Sequence, residues 1–526
     1  MRRLRSAARS AMKARTEDTQ EVSTLKEEPA LLSSPAHSFQ EPGDVTSLRG
    51  RLLSWYDQTK RDLPWRTAAL TESDVNKRTY AVWVSEIMLQ QTQVATVMDY
   101  YIKWMKRWPT VQDLAAATLE EVNEMWAGLG YYSRGKRLHE GAQKVVSELG
   151  GQMPKTAEDL VKLLPGVGRY TAGAVASIAM GQVTGAVDGN VVRVFCRLRA
   201  IGADSTSPAV TEALWTLANT LVDPDRPGDF NQALMELGAR VCTPKGPLCS
   251  QCPVQSHCRA HRKVAVEQEE GAQRLLGKPA VEQSSPDIEE CCGCALCIPP
   301  GESWDSSLGV TNFPRKPKKK PPRVERTLTC VLDRNGAKGG REYFLVQRPS
   351  KGLLAGMWEF PSMLLEEAHD SEKKQRSALQ AQVQKILGDS LKQGALQHVG
   401  EVVHVFSHIH QTYVVYSGRL PDPQGSSPAG GQEDSRARWL TETAFQEAAV
   451  SAGMKKVMKL YEKMKSMKTE GCKDGKRKRS SDGIINSRHK SQKTLRTQEP
   501  ADGARQLSLH KFFQPAIKQE AEGILS

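Results

Sequence analysis

The chain has 526 residues, a formal net charge of +13 and a sequence pI of about 9.1. This length is sufficient for two or three domains, and the basic charge favours a polyanionic partner. No apolar run approaches the length of a membrane-spanning helix, so we predict a soluble protein without membrane contacts. Eleven cysteines, eight of them in two clusters, predict metal ligation in a reducing compartment rather than disulfides.

Residues 1–45 are polar and rich in Ser, Pro and Glu, and we predict that they are disordered. The first fifteen, MRRLRSAARSAMKAR, contain several arginines and no acidic residue. This composition is typical of a mitochondrial transit peptide, although a disordered basic tail has the same features.

Residues 46–264 have apolar side chains at helical spacing and few strand signals, which predicts an all-α domain. Pro64 is expected to end the first helix, and residues 79–108 form a long apolar-periodic stretch. Further helices are predicted at 118–127, 137–149, 156–164, 169–180, 190–200, 208–222 and 229–240.

A glycine hairpin, PGVG, lies between two of these predicted helices. Gly166, Val167 and Gly168 would let the backbone turn tightly and would point helix N-terminal amides at a partner, typically a phosphate. A plain connection between two helices uses similar residues. Asp188 follows in VDGN, at a position where helix amides stabilise an ionised carboxylate.

The first cysteine cluster closes the helical region with the spacing C-x6-C-x2-C-x5-C, at Cys242, Cys249, Cys252 and Cys258. Four thiolates at this spacing suit zinc or an iron–sulfur cluster, and the spacing alone does not choose between them. Because four protein ligands leave no open coordination position, we expect a metal that staples a loop.

Residues 265–322 have the composition of a linker and end in a lysine block. They contain a second cluster, CCGCALC, at Cys291, Cys292, Cys294 and Cys297. Adjacent cysteines do not bind one ion comfortably, so a second metal site would need an outside ligand such as a histidine. Unligated surface cysteines are the alternative.

Residues 323–465 alternate strand-like and helical segments and predict an independent α+β domain, with helices at 371–388 and 441–465. Residues 466–526 are basic and low in apolar content, and we predict a disordered tail. Its KRKR resembles a nuclear import signal. QLSLHKFF is an isolated apolar island that would fold into a groove on a partner.

The hairpin, VDGN and the first cysteine loop, in this order, resemble the helix-hairpin-helix DNA glycosylases. LPWR, SEIMLQQTQV, GLGYYSR, DGNVVR and FNQALMELGA resemble the MutY-type, vertebrate-like adenine DNA glycosylases over roughly residues 48–260. GLLAGMWEFP and FSH are similar to that family's Nudix-related recognition domain. The resemblance implies a [4Fe–4S] cluster on Cys242, Cys249, Cys252 and Cys258.

The implied activity is base-excision repair by hydrolysis of the N-glycosidic bond of adenine paired with 8-oxoguanine, or with guanine, in duplex DNA. Glu86, in an apolar helix that raises its pKa, would protonate the base. Asp188 would stabilise the cationic sugar, either by its charge or through a covalent adduct. Tyr170 and Asn190 would hold sugar, carboxylate and water. Superfamily members that also cut the backbone carry a lysine at position 170, so we expect a monofunctional enzyme.

The resemblance also implies DNA-contacting residues. Arg66 and Glu236 would line the adenine pocket, with Arg66 paired to a carboxylate. The remaining contacts are the wedge residues Gln91 and Tyr131, the phosphate grip of Gly166, Val167 and Gly168, and the 8-oxoguanine loop of Phe406, Ser407 and His408. The stretch SMLLEEAHDSEKKQ lacks the REXXEE arrangement that holds magnesium in Nudix hydrolases, so this domain should read a base rather than hydrolyse a nucleotide.

Vertebrate relatives carry a zinc site in the connector, which implies Cys294, Cys297, one of Cys291 and Cys292, and His37 as ligands. QLSLHKFF is similar to the sliding-clamp-binding box, with Gln506, Leu509, Phe512 and Phe513 as its contacts. The family also binds a checkpoint clamp and an abasic-site endonuclease through the connector. We expect a monomer in nucleus and mitochondrion.

Two other functions fit parts of this pattern. A related glycosylase for mispaired thymine or oxidised pyrimidines is disfavoured by Glu86 and the FSH-bearing domain. A catalytically inactive DNA-binding scaffold that recruits the sliding clamp is disfavoured by the presence of both Glu86 and Asp188.

Overall fold

The computed structural model describes residues 35–276, 291, 294–315, 321–336, 339–349, 352–366, 369, 371–387, 395–406, 409–421 and 436–474. Its first part is helical, as the sequence predicts. The helices are α1 Pro42–Thr59, α2 Pro64–Thr71, α3 Val75–Leu89, α4 Val94–Arg107, α5 Val111–Ala116, α6 Leu119–Met125, α7 Ser133–Glu148, α8 Ala157–Leu163, α9 Arg169–Met180, α10 Gly189–Leu198, α11 Pro208–Leu221, α12 Pro227–Arg240 and α13 Arg259–Leu275.

Two local predictions in this region are wrong. Pro64 begins α2 instead of ending α1, because proline suits the first turn of a helix as well as the residue after one. Residues 1–45 were predicted to be disordered, but Pro35–His37 forms a short 3-10 helix and α1 begins at Pro42. The apolar-periodic stretch 79–108 is interrupted after Leu89 and forms parts of two helices, α3 and α4.

Two hydrophobic clusters hold the helical domain together. One is built on α3 to α9 and includes Trp83, Trp104 and Trp126. The other is built on α1 and α10 to α12 and includes Phe195 and Phe230. Helix α3 is buried along Thr79–Met88, so it is the central helix of the first cluster.

The connector packs against the helical domain where the structure describes it. Helix α13 continues to Leu275, and Ser306–Asn312 forms a second 3-10 helix. Val310 and Phe313 join the second hydrophobic cluster, and Phe313 O accepts a hydrogen bond of 3.0 Å from Arg197 Nε. These parts are therefore not the open linker that the composition predicts, because a few apolar side chains suffice to dock them.

The C-terminal domain is α+β, as predicted. Its elements are β1 Arg323–Asn335, β2 Arg341–Gln347, β3 Trp358–Glu359, β4 Ser362–Leu364, α14 Glu372–Leu387, β5 Gln397–Val405, β6 Ile409–Arg419, β7 Ala437–Thr441, α15 Glu442–Glu447 and α16 Ala452–Asp474. The sheet order is β3-β2-β1-β6-β5, with β4 beside β1 and β7 beside β2, and β1 and β6 are parallel. The predicted helix 441–465 is two helices, α15 and α16.

Alternating residues of β1 face two separate clusters, as the period of a strand requires. Val331 packs towards α15 and α16 with Tyr343 and Met458, whereas Cys330 packs towards α14 with Val383. Among the described residues, no helix is both long and apolar enough to span a membrane.

The helical and sheet domains belong to one compact unit that ends at Ser466, and the segment before β3 joins them. Met357 is fully buried within the first cluster of the helical domain. Trp358 Nε1 donates to Glu120 Oε1 at 3.2 Å, and Arg438 Nη2 contacts the same oxygen at 2.5 Å. The Arg438 guanidinium also lies 3.9 Å from the centroid of the Trp358 ring. The sheet domain is therefore fastened to α6.

Candidate active site

A cavity of about 500 Å³ lies where the two hydrophobic clusters of the helical domain meet. Helices α2, α3, α9, α10 and α12 contribute to its wall. The predicted site residues that line it are Arg66, Glu86, Gln91, Tyr170, Asp188, Asn190 and Glu236. The structure therefore brings Glu86 and Asp188, which are about a hundred residues apart in sequence, to one cavity.

Glu86 lies near the end of the buried helix α3 and is itself 5% exposed. Tyr170 Oη donates a hydrogen bond of 2.7 Å to Glu86 Oε2. Burial raises the pKa of Glu86 to about 7, with the nearby charge of Asp188 acting in the same direction and the Tyr170 bond opposing it. Glu86 therefore has a large protonated fraction at neutral pH, as a general acid requires.

Asp188 is the N-cap of α10, as predicted. Its Oδ1 accepts from the amides of Asn190 at 2.9 Å and Val191 at 2.8 Å, and its Oδ2 accepts from Asn190 Nδ2 at 2.7 Å. Burial raises the pKa of Asp188 above its ordinary value, although these three bonds oppose the shift. The cap therefore orients the carboxylate and offsets part of its desolvation.

Glu236 on α12 neutralises the arginines of the cavity wall. Its carboxylate accepts from Arg66 Nη2 at 2.8 Å, from Arg61 Nε at 2.6 Å and from Arg61 Nη2 at 2.9 Å. Burial would raise the pKa of Glu236, but its bonds to the two arginines hold it below the ordinary value. Arg66 was predicted to pair with an unspecified carboxylate, whereas Arg61 was not predicted to contact the site, although both belong to RDLPWR.

Asn190 is held from the side opposite Asp188. Arg193 Nη2 donates to Asn190 Oδ1 at 2.8 Å and to Gly238 O at 2.6 Å, while its Nε donates to Cys242 O at 2.7 Å. A side chain at Gly238 would clash, since a Cβ there would meet Asn190 Cβ at 2.6 Å. This close approach of α12 to α10 fixes Asn190. Arg193 was not among the predicted site residues.

The predicted wedge residues lie at the rim of the cavity and in the loop before α7. Gln91 is exposed and has a φ of 58°, and Tyr131 is 47% exposed with a φ of 46°. A left-handed φ is uncommon for side chains other than glycine, asparagine and aspartate. Both loops therefore have conformations that their surroundings must hold.

In the hairpin, Gly166 has a φ of 80°, and a Cβ there would meet Arg137 Cδ at 2.8 Å. Gly168 is the N-cap of α9 and has no side chain over the first amides of that helix. Val167 is buried in the first cluster and anchors the turn. This geometry suits close approach of a phosphate to the backbone.

Two family models match the chain: HhH-GPD superfamily base excision DNA repair protein over residues 84–220 and NUDIX domain over residues 336–460. The adenine DNA glycosylase of Homo sapiens is 60% identical over 429 residues, which cover 82% of this chain and 76% of that protein. That of Mus musculus is 56% identical over 479 residues, covering 90% and 89%. The chain belongs to the adenine DNA glycosylase family. It is therefore a DNA N-glycosylase of base excision repair that acts on adenine, and its substrate is DNA.

Two solved structures are similar to parts of the chain. A thermostable thymine-DNA glycosylase is 29% identical, with a TM-score of 0.36, and the match covers 42% of this chain and 98% of that one. The C-terminal domain of mouse MUTYH, solved in complex with human PCNA, is 44% identical, with a TM-score of 0.23, and the match covers 27% and 91%.

The adenine DNA glycosylase has two groups of cysteines that suit metals. Cys242, Cys249, Cys252 and Cys258 are free thiols and line one small cavity together with Arg197. Arg197 Nη1 lies 3.3 Å from Cys242 Sγ, which places a positive charge beside the sulfurs. A cavity walled by four thiols and a guanidinium fits an anionic metal–thiolate centre.

The second group joins the N-terminal segment to the connector. One ligand atom from each of His37, Cys291, Cys294 and Cys297 can be chosen so that all lie within 4.8 Å of one another. His37 Nδ1 lies 2.9 Å from Arg199 O, which leaves Nε2 directed at Cys297 Sγ at 3.4 Å. The predicted ligand set is therefore brought together and is a candidate metal site; Cys292 lies outside the described residues.

Other predicted residues are only partly covered by the structure. Phe406 follows β5, and its amide donates to Ile409 O at 2.8 Å, so Phe406 lies beside the first residue of β6. Outside the described residues lie Ser407, His408 and the clamp-box residues Gln506, Leu509, Phe512 and Phe513.

Proposed function

We propose that this adenine DNA glycosylase hydrolyses the N-glycosidic bond of adenine paired with 8-oxoguanine, and more slowly of adenine paired with guanine, without strong strand cleavage. One observation carries the proposal: Glu86, whose pKa is about 7, and Asp188 share a cavity of about 500 Å³. A proton donor and an anion in one cavity match the two needs of glycosidic cleavage.

In this mechanism the proton of Glu86 passes to a ring nitrogen of adenine. The bond between the sugar C1′ and the base then breaks, and its electron pair leaves with adenine. Because Tyr170 occupies Glu86 Oε2, we assign the transferred proton to Oε1. The Asp188 carboxylate stabilises the resulting cation at the sugar, and Asn190 keeps it oriented.

Water completes the reaction by adding to C1′. Its proton returns to the carboxylate of Glu86, so the acid is regenerated, and the product is an abasic site. Strand cleavage by a Schiff base needs an amine, and Tyr170 offers only a hydroxyl. Within the part of the chain that the structure describes, no lysine lines this cavity. These features support a monofunctional enzyme.

Adenine must leave the duplex before it reaches Glu86, and flipping costs a few kcal/mol. In this proposal Gln91 and Tyr131 fill the vacated stack, and Gly166, Val167 and Gly168 hold a phosphate. Arg66 and Glu236 form the wall against which the base stacks. Phe406, Ser407 and His408 read the 8-oxoguanine. The position of Phe406 between the end of β5 and the start of β6 is compatible with such a contact with DNA.

The cysteine loop would hold a [4Fe–4S] cluster on Cys242, Cys249, Cys252 and Cys258. Such a cluster would fix the fold of the loop, whose Cys242 carbonyl holds Arg193. His37, Cys291, Cys294 and Cys297 would hold zinc, because thiolates and imidazole at this separation suit its tetrahedral geometry.

Further parts of the proposal rest on sequence alone. Gln506, Leu509, Phe512 and Phe513 would bind the sliding clamp. The connector would bind the checkpoint clamp and an abasic-site endonuclease. The enzyme would act as a monomer in nucleus and mitochondrion.

The test is a single-turnover excision assay on duplexes that contain adenine opposite 8-oxoguanine, guanine or thymine. We expect the fastest excision opposite 8-oxoguanine and little breakage before alkali treatment. Glu86→Gln should bind the same duplex and lose about 10²–10⁴-fold in rate. Equal rates for all three partners would refute the recognition of 8-oxoguanine. A high yield of borohydride-trapped adduct would refute the monofunctional assignment.

A further inference from the structure

Two short loops carry the proposed wedge residues. Residues 90–93 follow α3 and contain Gln91, while residues 126–132 separate α6 from α7 and contain Tyr131. Gln91 and Tyr131 both have a left-handed φ, at 58° and 46°. Such conformations cost free energy and persist only where neighbouring groups hold them.

One buried side chain contacts both loops. Arg134 lies in the first turn of α7 and is 7% exposed. At the end of α3, its guanidinium donates hydrogen bonds to Ile87 O at 3.0 Å and Met88 O at 2.8 Å. In the first loop it donates to Gln90 O and to Thr92 Oγ1, the latter at 3.1 Å. In the second loop it donates to Gly130 O at 3.0 Å and Tyr131 O at 3.4 Å.

The partners of Arg134 have a common feature. Leu129 O, at 3.4 Å, is a seventh acceptor, and six of the seven are backbone carbonyls. The last carbonyls of a helix lack partners within the helix and attract positive charge, so the guanidinium completes the C-terminus of α3. Its centre also lies 5.4 Å from the ring centroid of Tyr131. Arg134 therefore contacts the backbone of both loops and the ring of one wedge residue.

We infer that Arg134 is a positioning residue for base extrusion: its guanidinium holds Gln91 and Tyr131 as one rigid pair that enters the duplex as adenine leaves. This inference rests on the proposed function, because it takes both side chains as wedge residues. Ile87 O and Met88 O directly follow Glu86 in sequence. The same guanidinium therefore also fixes the distance between the wedge and the acid that receives the flipped base.

Lysine cannot replace this arginine. A guanidinium is a planar fork with five N–H donors, whereas an ammonium is a single point with three. A lysine at position 134 would keep the charge and reach one loop at a time. Arg134→Lys should therefore loosen the pair of loops while leaving Glu86, Asp188 and the cavity in place.

The experiment compares two duplexes with the same central adenine·8-oxoguanine pair. One is otherwise fully paired, and in the other mismatches flank the central pair, so that adenine is already poorly stacked. On the paired duplex we expect Arg134→Lys to be about tenfold or more slower in single turnover, given the strength of hydrogen bonds from a charged group. On the flanked duplex its rate should lie within about twofold of the wild type, since that duplex has little extrusion cost left.

Arg78→Lys is the matched control. Arg78 also donates to backbone carbonyls, of Ala179 at 2.7 Å and Glu72 at 2.9 Å, but it contacts neither loop. It should behave as the wild type on both duplexes. Thr92→Ala is a milder variant, since it removes one acceptor of Arg134 without leaving a buried charge. It should show the same selective loss to a smaller extent, and it keeps the test decisive if Arg134→Lys does not fold.

A fluorescent adenine analogue, 2-aminopurine, opposite 8-oxoguanine reports extrusion directly. Its fluorescence rise should be slower with Arg134→Lys and normal with Arg78→Lys. Equal slowing of Arg134→Lys on both duplexes would overturn the inference, because the defect would then lie in the chemistry or the fold. Wild-type rates on both duplexes would also overturn it. Failure of the wild-type enzyme to excise adenine opposite 8-oxoguanine would instead refute the proposed function.

Discussion

The hydroxyl of Tyr170 donates a hydrogen bond of 2.7 Å to Glu86 Oε2. A hydrogen bond to a carboxylate stabilises its charged form, so this bond lowers the pKa that burial raises. The net pKa of Glu86 is about 7, close to neutral pH. In the proposed mechanism, Tyr170 therefore tunes the acid, and its hydroxyl provides no amine for strand cleavage.

The first prediction concerns Tyr170→Phe. Removing the hydroxyl should raise the pKa of Glu86 further, because an interaction with the charged form is lost. Since the protonated form of Glu86 is the proposed acid, the single-turnover rate should fall as the pH rises. The pH at which the rate falls should be higher in the variant than in the wild type. The maximum rate should drop about tenfold as Glu86 loses its orientation, a modest part of what general acid catalysis supplies. An unchanged pH profile would show that Tyr170 does not affect the ionisation of Glu86.

The second prediction concerns stability. Burial raises the folded-state pKa of Glu86 from 4.5 to about 7. The folded protein therefore binds a proton on Glu86 more tightly than the unfolded chain does. The contribution of this proton to the free energy of unfolding is fully present below about pH 4. This contribution is lost as pH rises through about 7. Glu86→Gln, which is neutral at every pH, should thus gain stability over the wild type at pH 8, on the order of 3 kcal/mol. Denaturant unfolding at pH 4 and pH 8 measures the difference, and equal gains at both would contradict it.

The third prediction concerns the cavity wall. Glu236→Gln leaves two arginines facing a neutral amide, and breaking a buried ion pair on one side costs about 3 kcal/mol or more. Because Arg61 is 36% exposed and can turn to solvent, we expect a loss near 2–3 kcal/mol. The rate of adenine excision should also fall, because Arg66 moves when it loses its carboxylate partner. The control is Asp57→Asn, which breaks the exposed pair with Arg226 and should cost under about 1 kcal/mol.

Local patterns predicted the centre of the site well. The cap at Asp188 and the turn at Gly166 depend on residues within a few positions of each other, and the structure has both. The break between α3 and α4 was missed because it contains no glycine or proline, and the guanidinium of Arg134 holds it from forty residues away. Arg61 and Arg193 were also missed because they contact residues far away in sequence. The partner of Arg61 lies on α12, and one partner of Arg193 lies in the cysteine loop.

The fourth prediction concerns the joint between the domains. Glu120 on α6 accepts hydrogen bonds from Trp358 Nε1 and Arg438 Nη2. Helix α6 is followed directly by the loop that contains Tyr131. Glu120→Ala should loosen the sheet domain, which we propose reads the 8-oxoguanine. We therefore expect the ratio of excision rates opposite 8-oxoguanine and guanine to fall about threefold to tenfold, the range of one charged hydrogen bond partly exposed to solvent. Arg107→Ala is the control, because it breaks the exposed pair with Glu121 on the same helix and leaves the side chains of α6 unchanged, and it should keep the ratio.

The fifth prediction concerns the candidate metal site of His37, Cys291, Cys294 and Cys297, whose residues come from segments more than 250 residues apart. His37 is 5% exposed and is held through Nδ1 by the Arg199 carbonyl, so its Nε2 is presented without further rearrangement. Purified enzyme should contain one zinc ion per chain, and Cys294→Ser should lose it. His37→Ala should also lose zinc while retaining the visible absorbance of the proposed iron–sulfur cluster, because the cysteines proposed to hold that cluster belong to the other group. Metal analysis checks both variants. Full zinc content in His37→Ala would show that three cysteines and a solvent ligand suffice, and the N-terminal segment would then have no role in the site.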